Sequence, residues 1–319
     1  MTLTELKYIV AVAREKHFGR AADACYVSQP TLSVAVKKLE DELEVKLFER
    51  SAGEVAVTAL GGEIVRQAQS VLEQAAGIRE IAKRGKDPLS GPLTLGVIYT
   101  IGPYLLPDLV RQTIARTPQM PLMLQENFTV KLLEMLRTGE IDCAIMAEPF
   151  PDAGLAVAPL YDEPFMVAAP RQHPLAARKA ISAEELKSET MLLLGTGHCF
   201  RDHVLDVCPE FARFSSNAEG IRKSFEGSSL ETIKHMVAAG MGVTVVPRLS
   251  VPHGALEPRP RRTARHDDGA FVKYLPFEGE PPTRRVVLAW RRSFTRYEAI
   301  AALRNAIYAC ELPGVERLS

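Results

Sequence analysis

Apolar residues recur at helical intervals from the start of the chain. Leu6, Ile9, Val10 and Ala13 stand behind Thr2 and Glu5, which have capping-box spacing, and predict a first helix ending near Lys16. A short second helix from about Gly19 to Cys25 carries Ala21, Ala22 and Ala24, small enough to let another helix approach closely. After a turn at Tyr26 and Val27, Ser28 is a good N-cap and Pro30 suits the first turn, so a third helix opens at Ser28-Gln29-Pro30-Thr31. Its back is Leu32, Val36, Leu39 and Leu43; its front is Gln29, Thr31, Ser33, Val34 and Lys37, with Lys38 beside it. Residues 47–50, a turn at Gly53 and residues 55–57 then predict a small hairpin. From Thr58, a plausible N-cap, to about Lys86 one stripe of Leu60, Ile64, Ala68, Val71, Ala75, Ile78 and Ala82 marks a long helix of roughly 40 Å at 1.5 Å per residue. So narrow a stripe wants a partner: either a second copy of the helix or the protein's own body.

Beyond the break at residues 87–92 the pattern changes to buried strands alternating with helices. Strands are predicted at 93–98, 122–125 and 141–146, with a helix entered at Gly102-Pro103 and another rich in Leu132, Leu133, Met135 and Leu136. This order predicts a mostly parallel sheet covered on both faces. A second unit starts near Pro164, includes a helix start at Ser182 and Glu185, and returns to the first at about residue 268. The expected organisation is α/β overall: a winged helix-turn-helix at 1–58, a linker helix at 59–87, and a two-lobed region at 88–319. Its first lobe spans about 91–163 and 268–319, and its second about 164–267. In open α/β sheets ligands lie beyond the carboxyl ends of the strands, where Thr100 and Thr129 fall; either could equally be only a helix cap.

Composition adds three exclusions. The 319 residues are 46% hydrophobic and 24% charged, which excludes wholesale disorder and suggests more than one domain. No apolar run reaches the ~18 residues of a membrane helix, and the start has no basic-then-apolar leader, so a cytoplasmic protein is expected. The five cysteines are odd in number and mostly far apart, against a secreted disulfide framework and a four-cysteine zinc site; no metal and no cofactor is expected.

The charge balance of 39 basic and 39 acidic residues conceals a local asymmetry. Residues 1–38 hold six basic and three acidic side chains, residues 39–58 two basic and six acidic. The basic residues sit near the third helix, whose apolar back and short polar front suit the major groove, although an ordinary amphipathic surface helix has the same outline. Arg50, on the hairpin, is placed to meet backbone phosphate.

Two cysteines stand apart. Residues 191–194 predict a strand, 195–197 a tight turn, and His198-Cys199-Phe200-Arg201-Asp202-His203 the start of a helix that Pro209 must end. Cys199 thus lies at a helix N-terminus beside His198 and Arg201, a setting expected to favour thiolate. Cys208 is nine residues on, opposite in direction and about 13 Å along the axis, whereas a disulfide needs Cα atoms within about 7 Å. The pair can bond only if the helix unwinds; otherwise they are two unrelated buried thiols. Cys25, Cys143 and Cys310 are expected to be core residues, Cys310 within the last helix.

The runs at residues 17–22, 27–33, 38–43 and 47–50 closely resemble the DNA-binding domain of LysR-type transcriptional regulators. The resemblance implies that Ser28, Gln29, Pro30, Thr31, Ser33 and Arg50 contact promoter DNA, that the linker helix pairs two chains, and that the two lobes form a periplasmic-binding-protein-like effector domain. Gly197-His198-Cys199, Arg201-Asp202 and Cys208, with residues 102–107, 229–232 and 236–240, resemble the hydrogen-peroxide-sensing branch of that family. That resemblance implies that Cys199 is peroxidatic and Cys208 resolving, and that Thr100, Thr129 and His198 help bind peroxide. It further implies that Asp202 assists proton transfer and that Arg285, the second arginine of a Pro-x-x-Arg-Arg stretch, supports the thiolate. It implies a non-enzymatic activator of antioxidant genes, assembled as a homodimer or homotetramer, with RNA polymerase as a partner and glutaredoxin or thioredoxin as reductant.

The chain departs from that branch in a longer, arginine-rich loop at 251–270, and at Phe200 and His203; the latter suggests either a source of positive potential or a cap on a solvent face. The rival readings are an organic effector in the interlobe cleft with two incidental cysteines, and a thiol peroxidase carrying a DNA-binding domain.

Overall fold

A computed structural model describes all residues except 52–53, 85–88, 152, 210–225, 228, 253, 257–270 and 319. The loop at 251–270 therefore lies mostly outside the described residues.

Local signals set the first elements. Helix α1 (Leu3–Glu15) opens on a complete capping box between Thr2 and Glu5, and Lys16 closes it in a left-handed conformation. Helix α2 (Phe18–Ala24) is capped by the His17 ring, and α3 (Gln29–Leu43) by the Ser28 side chain with Pro30 in its first turn. Strands β1 (Phe48–Ser51) and β2 (Glu54–Val57) form the hairpin, with Phe48 opposite Val57 and Arg50 opposite Val55. Ile9, Val12, Ala21, Leu32, Val36, Leu39 and Leu47 close a small core. The Glu40 carboxylate, buried beneath the hairpin, accepts from the backbone N–H of Leu47 at 2.8 Å and of Phe48 at 3.2 Å and so fixes the base of the wing to α3.

Helix α4 (Ala59–Arg84) follows, with the Thr58 hydroxyl accepting from the Gly61 N–H. The expected single stripe divides between two neighbours. Ala68 is buried, and Ile64 and Leu72 pack with it on the N-terminal core, whereas Leu60, Val71 and Ile78 remain exposed. Further along, Glu73 accepts from the Ser293 hydroxyl and pairs with Arg291, and the Gln74 amide donates to the Ser293 carbonyl. The helix thus touches both the winged unit and the C-terminal region.

In the C-terminal region β3 (Leu93–Ile98), β4 (Leu122–Asn127) and β5 (Cys143–Ala147) are parallel, connected by α5 (Gly102–Arg116) and α6 (Thr129–Thr138). Beside them run β6 (Leu155–Pro170), β9 (Thr244–Pro247), β10 (Val272–Pro276), β11 (Thr283–Arg291) and β12 (Glu316–Arg317). The order is β10-β6-β11-β5-β3-β4, and β11 is antiparallel to both β5 and β6. The sheet is mixed, not mostly parallel, because β6 and β11 are the two chain crossings between the lobes and must run in opposite directions. The 16-residue β6 lies against β11 with its first half and against β9 and β10 with its second. The return to the first lobe also comes later than residue 268: Val272, Tyr274, Leu275 and Phe277 still belong to the second lobe's core, so the crossing follows Phe277.

The second lobe contains α7 (Ala183–Leu186), capped by the Ser182–Glu185 box, the strand pair β7 (Leu193–Leu194) and β8 (Glu226–Gly227), α8 (Cys199–Val207) and the helix Leu230–Ala238. Cys143 is buried in β5, Cys25 caps α2 against the N-terminal core, and Cys310 is buried just after the last helix, Tyr297–Tyr308, rather than within it. Among the described residues no helix is long and apolar enough to cross a membrane, and no cluster of potential metal ligands occurs.

Replacing Glu40 by Ala leaves two buried amides without an acceptor, at about 1–3 kcal/mol for each such group. Glu40→Ala is expected to lower the stability of the N-terminal unit by at least about 2 kcal/mol in urea denaturation, and Glu40→Gln by less, since its amide oxygen still accepts.

A candidate peroxide-reactive thiol site

Helix α8 opens with His198 as N-cap and Cys199 as its first residue, after a turn in which Gly197 takes a φ of 99°. A side chain at Gly197 would also press on the Phe128 ring, its Cβ only 3.3 Å away. The Arg201 guanidinium donates to the Leu194 carbonyl at 3.0 Å and ties the start of α8 to β7. Neither Cys199 nor Cys208 is held in a disulfide. Cys199 packs against the core of the first lobe, whereas Cys208, the C-cap of α8, is buried in the core of the second. The helix therefore spans the two cores and points its terminal thiols into different ones.

Thr100, Thr129, His198 and Cys199 line one small pocket together with Ile98, Tyr99, Asn127, Phe128 and Gly197. Its space is about 10 Å³, on the scale where one water needs roughly 10–15 Å³. The rings of Tyr99, Phe128 and His198 meet edge to face at centroid separations of 4.8–5.8 Å and cover it. Thr100 leads into α5, Thr129 begins α6 and Cys199 begins α8, so three helix N-termini converge and lend partial positive charge to the space between them. The Thr129 hydroxyl is buried without a hydrogen bond of ordinary geometry to another polar group, leaving it free to face the thiol and a small guest.

The arginine behind this pocket is Arg284, not Arg285. Arg284 is fully buried, donates from Nη1 to the Thr100 hydroxyl at 2.7 Å and from Nη2 to the Thr100 carbonyl at 3.0 Å, and lies 5.2 Å from the Phe200 ring centre. Its Nε donates to Glu163 at 2.9 Å; Glu163, also fully buried, accepts from the Leu249 N–H as well. Arg285 faces out of the sheet and forms a two-pronged pair with Asp162. Alternation along β11 puts the two arginines on opposite faces, Arg284 buried and Arg285 exposed. The apolar run Val286-Val287-Leu288-Ala289, buried on both faces, gives the sequence no alternation by which to choose between them.

The expected thiolate-favouring setting is also only partly met. Burial pushes the Cys199 thiol above its ordinary value; the Thr129 hydroxyl and the Arg284 cation pull it down, while Asp202 raises it again. Asp202 sits exposed in the first turn of α8 and is not among the residues that line the pocket. His203, which the sequence left between two surface roles, takes neither: it is buried, and its Nε2 donates to the Glu148 carbonyl at 2.7 Å.

At the other end of the molecule, Ser28, Gln29, Pro30 and Thr31 are exposed on the front of α3, and Ser33 is half-buried. Ser28 and Thr31 also share a hydroxyl contact of 2.8 Å that caps the helix. Arg50 lies in β1 of the hairpin; its side chain is outside the described residues.

Comparison with known proteins agrees with this geometry. Residues 3–62 match the family described as "Bacterial regulatory helix-turn-helix protein, lysR family", and residues 86–309 the "LysR substrate binding domain". The "Hydrogen peroxide-inducible genes activator" of Pectobacterium carotovorum is 40% identical over 94% of this chain and 95% of its own. Full-length OxyR from Pseudomonas aeruginosa, in a variant with aspartate for a cysteine, is 50% identical, covers 98% of this chain and 99% of its own, and superposes with a TM-score of 0.74. A cysteine variant of Corynebacterium glutamicum OxyR, described as H2O2-bound, is 33% identical over 97% of this chain and 92% of its own, with a TM-score of 0.60. The chain belongs to the LysR family of bacterial transcriptional regulators, within its OxyR group.

Proposed function

We propose that the protein is a cytoplasmic, hydrogen-peroxide-sensing transcriptional activator switched by a reversible Cys199–Cys208 disulfide. The observation that carries this reading is the pocket itself, a water-sized space in which two threonine hydroxyls and a histidine surround a thiol at a helix N-terminus. Hydrogen peroxide has two donors and four lone pairs and is little larger than water, whereas an organic effector has no room there.

The roles follow from the geometry. Because Thr100 Oγ1 accepts from Arg284, its own proton is free to point into the pocket and donate to a peroxide oxygen. Thr129 and His198 supply the remaining polar contacts. The Cys199 sulfur, as thiolate, attacks one peroxide oxygen; the O–O bond breaks, and the departing hydroxide takes a proton to leave as water, with Asp202 in the first turn of α8 assisting that transfer. The product is a Cys199 sulfenic acid. The Cys208 thiol then attacks this sulfur, the S–O bond breaks, a second water leaves and the disulfide forms. The sum is two thiols and one peroxide giving one disulfide and two waters. Glutaredoxin or thioredoxin restores the thiols.

Ser28, Gln29, Pro30, Thr31 and Ser33 on α3, with Arg50 on the wing, are the groups that would enter promoter DNA. The exposed Leu60, Val71 and Ile78 on α4 support pairing of two chains through that helix. A second exposed apolar set on the first lobe, Ile114 on α5 with Met123 and Leu124 on the edge strand β4, supports a further contact and hence a homotetramer. RNA polymerase is the partner through which activation would act.

One equivalent of peroxide is expected to convert wild-type protein to the Cys199–Cys208 disulfide, read by mass spectrometry after alkylation, and turnover with an added dithiol is expected to stay far below enzyme-like rates. Cys208→Ser is expected to stop at the sulfenic acid; if Cys199 stays a free thiol in both proteins, or if turnover is enzyme-like, the reading fails.

Removing the Arg284 charge together with its buried partner, as Arg284→Met with Glu163→Gln, avoids stranding a buried ion and is expected to slow Cys199 oxidation severalfold, because a cation that favours the thiolate is lost. Arg285→Met, which removes only an exposed pair, is expected to leave the rate within about twofold.

A further inference from the structure

His203 sits at the middle of α8, four residues after Cys199 and on the same face. Its Nε2–H donates to the Glu148 carbonyl at 2.7 Å, across the boundary between the lobes. That acceptor is fixed, because the Glu148 N–H is itself bonded to the Arg285 carbonyl of β11. The ring packs beside the Phe165–Phe200 pair, at 6.2 Å and 6.5 Å between ring centres, and its second nitrogen, Nδ1, is buried with no hydrogen-bond partner among the described residues. A neutral imidazole tolerates this: Nε2 carries the proton and Nδ1 keeps a lone pair. An imidazolium does not, because Nδ1–H would be buried without an acceptor.

The charged groups around the ring come from three elements. Arg284 approaches from β11, paired with the buried Glu163 of β6, and opposes a second positive charge, while Asp202 and Asp206 lie on α8 itself and favour one; β6 also brings Phe165, and the loop after β5 the Glu148 carbonyl. Burial is the largest influence and holds His203 below the ordinary imidazole range, the Glu148 carbonyl working against it and Arg284 with it.

Closing a disulfide between residues about 13 Å apart on a helix requires the helix to open, and His203 is midway between them. We propose that His203 is a positioning residue that couples the disulfide switch to protons: the reduced, helical state holds it as a neutral donor to Glu148, and the oxidised, unwound state releases it to take up a proton. This inference rests on the sensor reading above and adds a second input to it.

The balance is explicit in a glutathione buffer. Two protein thiols, neutral His203, one oxidised glutathione and one proton give the protein disulfide, protonated His203 and two reduced glutathiones. Two electrons pass from the cysteine sulfurs to the glutathione disulfide, the two thiol hydrogens leave on glutathione, and the extra proton resides on the imidazole. The helical state binds this proton less well than the unwound state, so the advantage it draws from His203 is full above about pH 6.5, the ordinary imidazole value, and is lost as pH falls below it. Acid therefore favours the disulfide.

The test is the equilibrium constant for oxidation of the full-length protein by glutathione between pH 8 and pH 5. For the wild type it should be flat near pH 8 and rise severalfold from pH 6 to pH 5, with about eightfold the ceiling for one released imidazole. His203→Gln keeps a donor for Glu148 without a titrating group; it should match the wild type at pH 8 and lose the rise, the other histidines being common to both proteins. His203→Leu, which loses the donor, should favour the disulfide about fivefold at pH 8. Equal pH dependence in the wild type and His203→Gln overturns proton coupling while the sensor reading stands. If neither forms a Cys199–Cys208 disulfide with glutathione or peroxide, the sensor reading is overturned and this inference with it.

Discussion

The buried ion pair between Arg284 and Glu163 is the constraint on which the site depends. Two full charges removed from water are tolerable only when every donor and acceptor is used, and here the guanidinium reaches Glu163 and both oxygens of Thr100 while the carboxylate also takes the Leu249 N–H. These contacts join the end of β3, the two crossing strands β6 and β11, and the turn after β9. One side chain thereby sets the position of a pocket hydroxyl, holds the lobes in register at their crossing and places a cation near the Cys199 thiol. Shifting the lobes would disturb all three together.

Helix α8 sits across this arrangement. Its first residue is packed with the core of one lobe and its C-cap with the core of the other, so the helix is a strut whose ends are held by hydrophobic burial. In the proposed switch, joining the two thiols would dismantle the strut, extract Cys208 from its core and break the His203 contact to Glu148. A small oxidant would thus act on a large interface without itself bridging the lobes, its energy entering as one S–S bond and leaving as altered packing. Near the winged unit, α4 offers a route for that change, because Glu73 and Gln74 hold Ser293 and Arg291 immediately after β11 while Ala68 lies in the N-terminal core.

The parts of this structure that were legible in the sequence are those governed by local rules. The caps at Thr2, Ser28, Thr58 and Ser182 and the nine-residue helix between the two cysteines needed only residue type and spacing. What was misread depended on a partner remote in sequence. The resemblance implied Arg285, and which of the two adjacent arginines faces the pocket depends on what covers each face of β11; the direction of that strand, which makes the sheet mixed, depends on the lobe crossing. The stripe on α4 looked uniform because sequence does not say that its Ala68 region meets α1 while Leu60 and Ile78 stay exposed. Burial of Cys199 and His203 is likewise a tertiary property: helix position alone predicted a favoured thiolate, whereas the surrounding apolar groups push the thiol the other way.

The central claim is that disulfide formation and the α8 helix exclude one another. Hydrogen exchange measured by mass spectrometry on the peptide carrying residues 199–207, before and after one equivalent of peroxide, tests it most directly. The account predicts that these amides lose their protection at the rate at which the Cys199–Cys208 disulfide appears, and regain it on reduction. A fully formed disulfide with the amides of α8 still protected would contradict it.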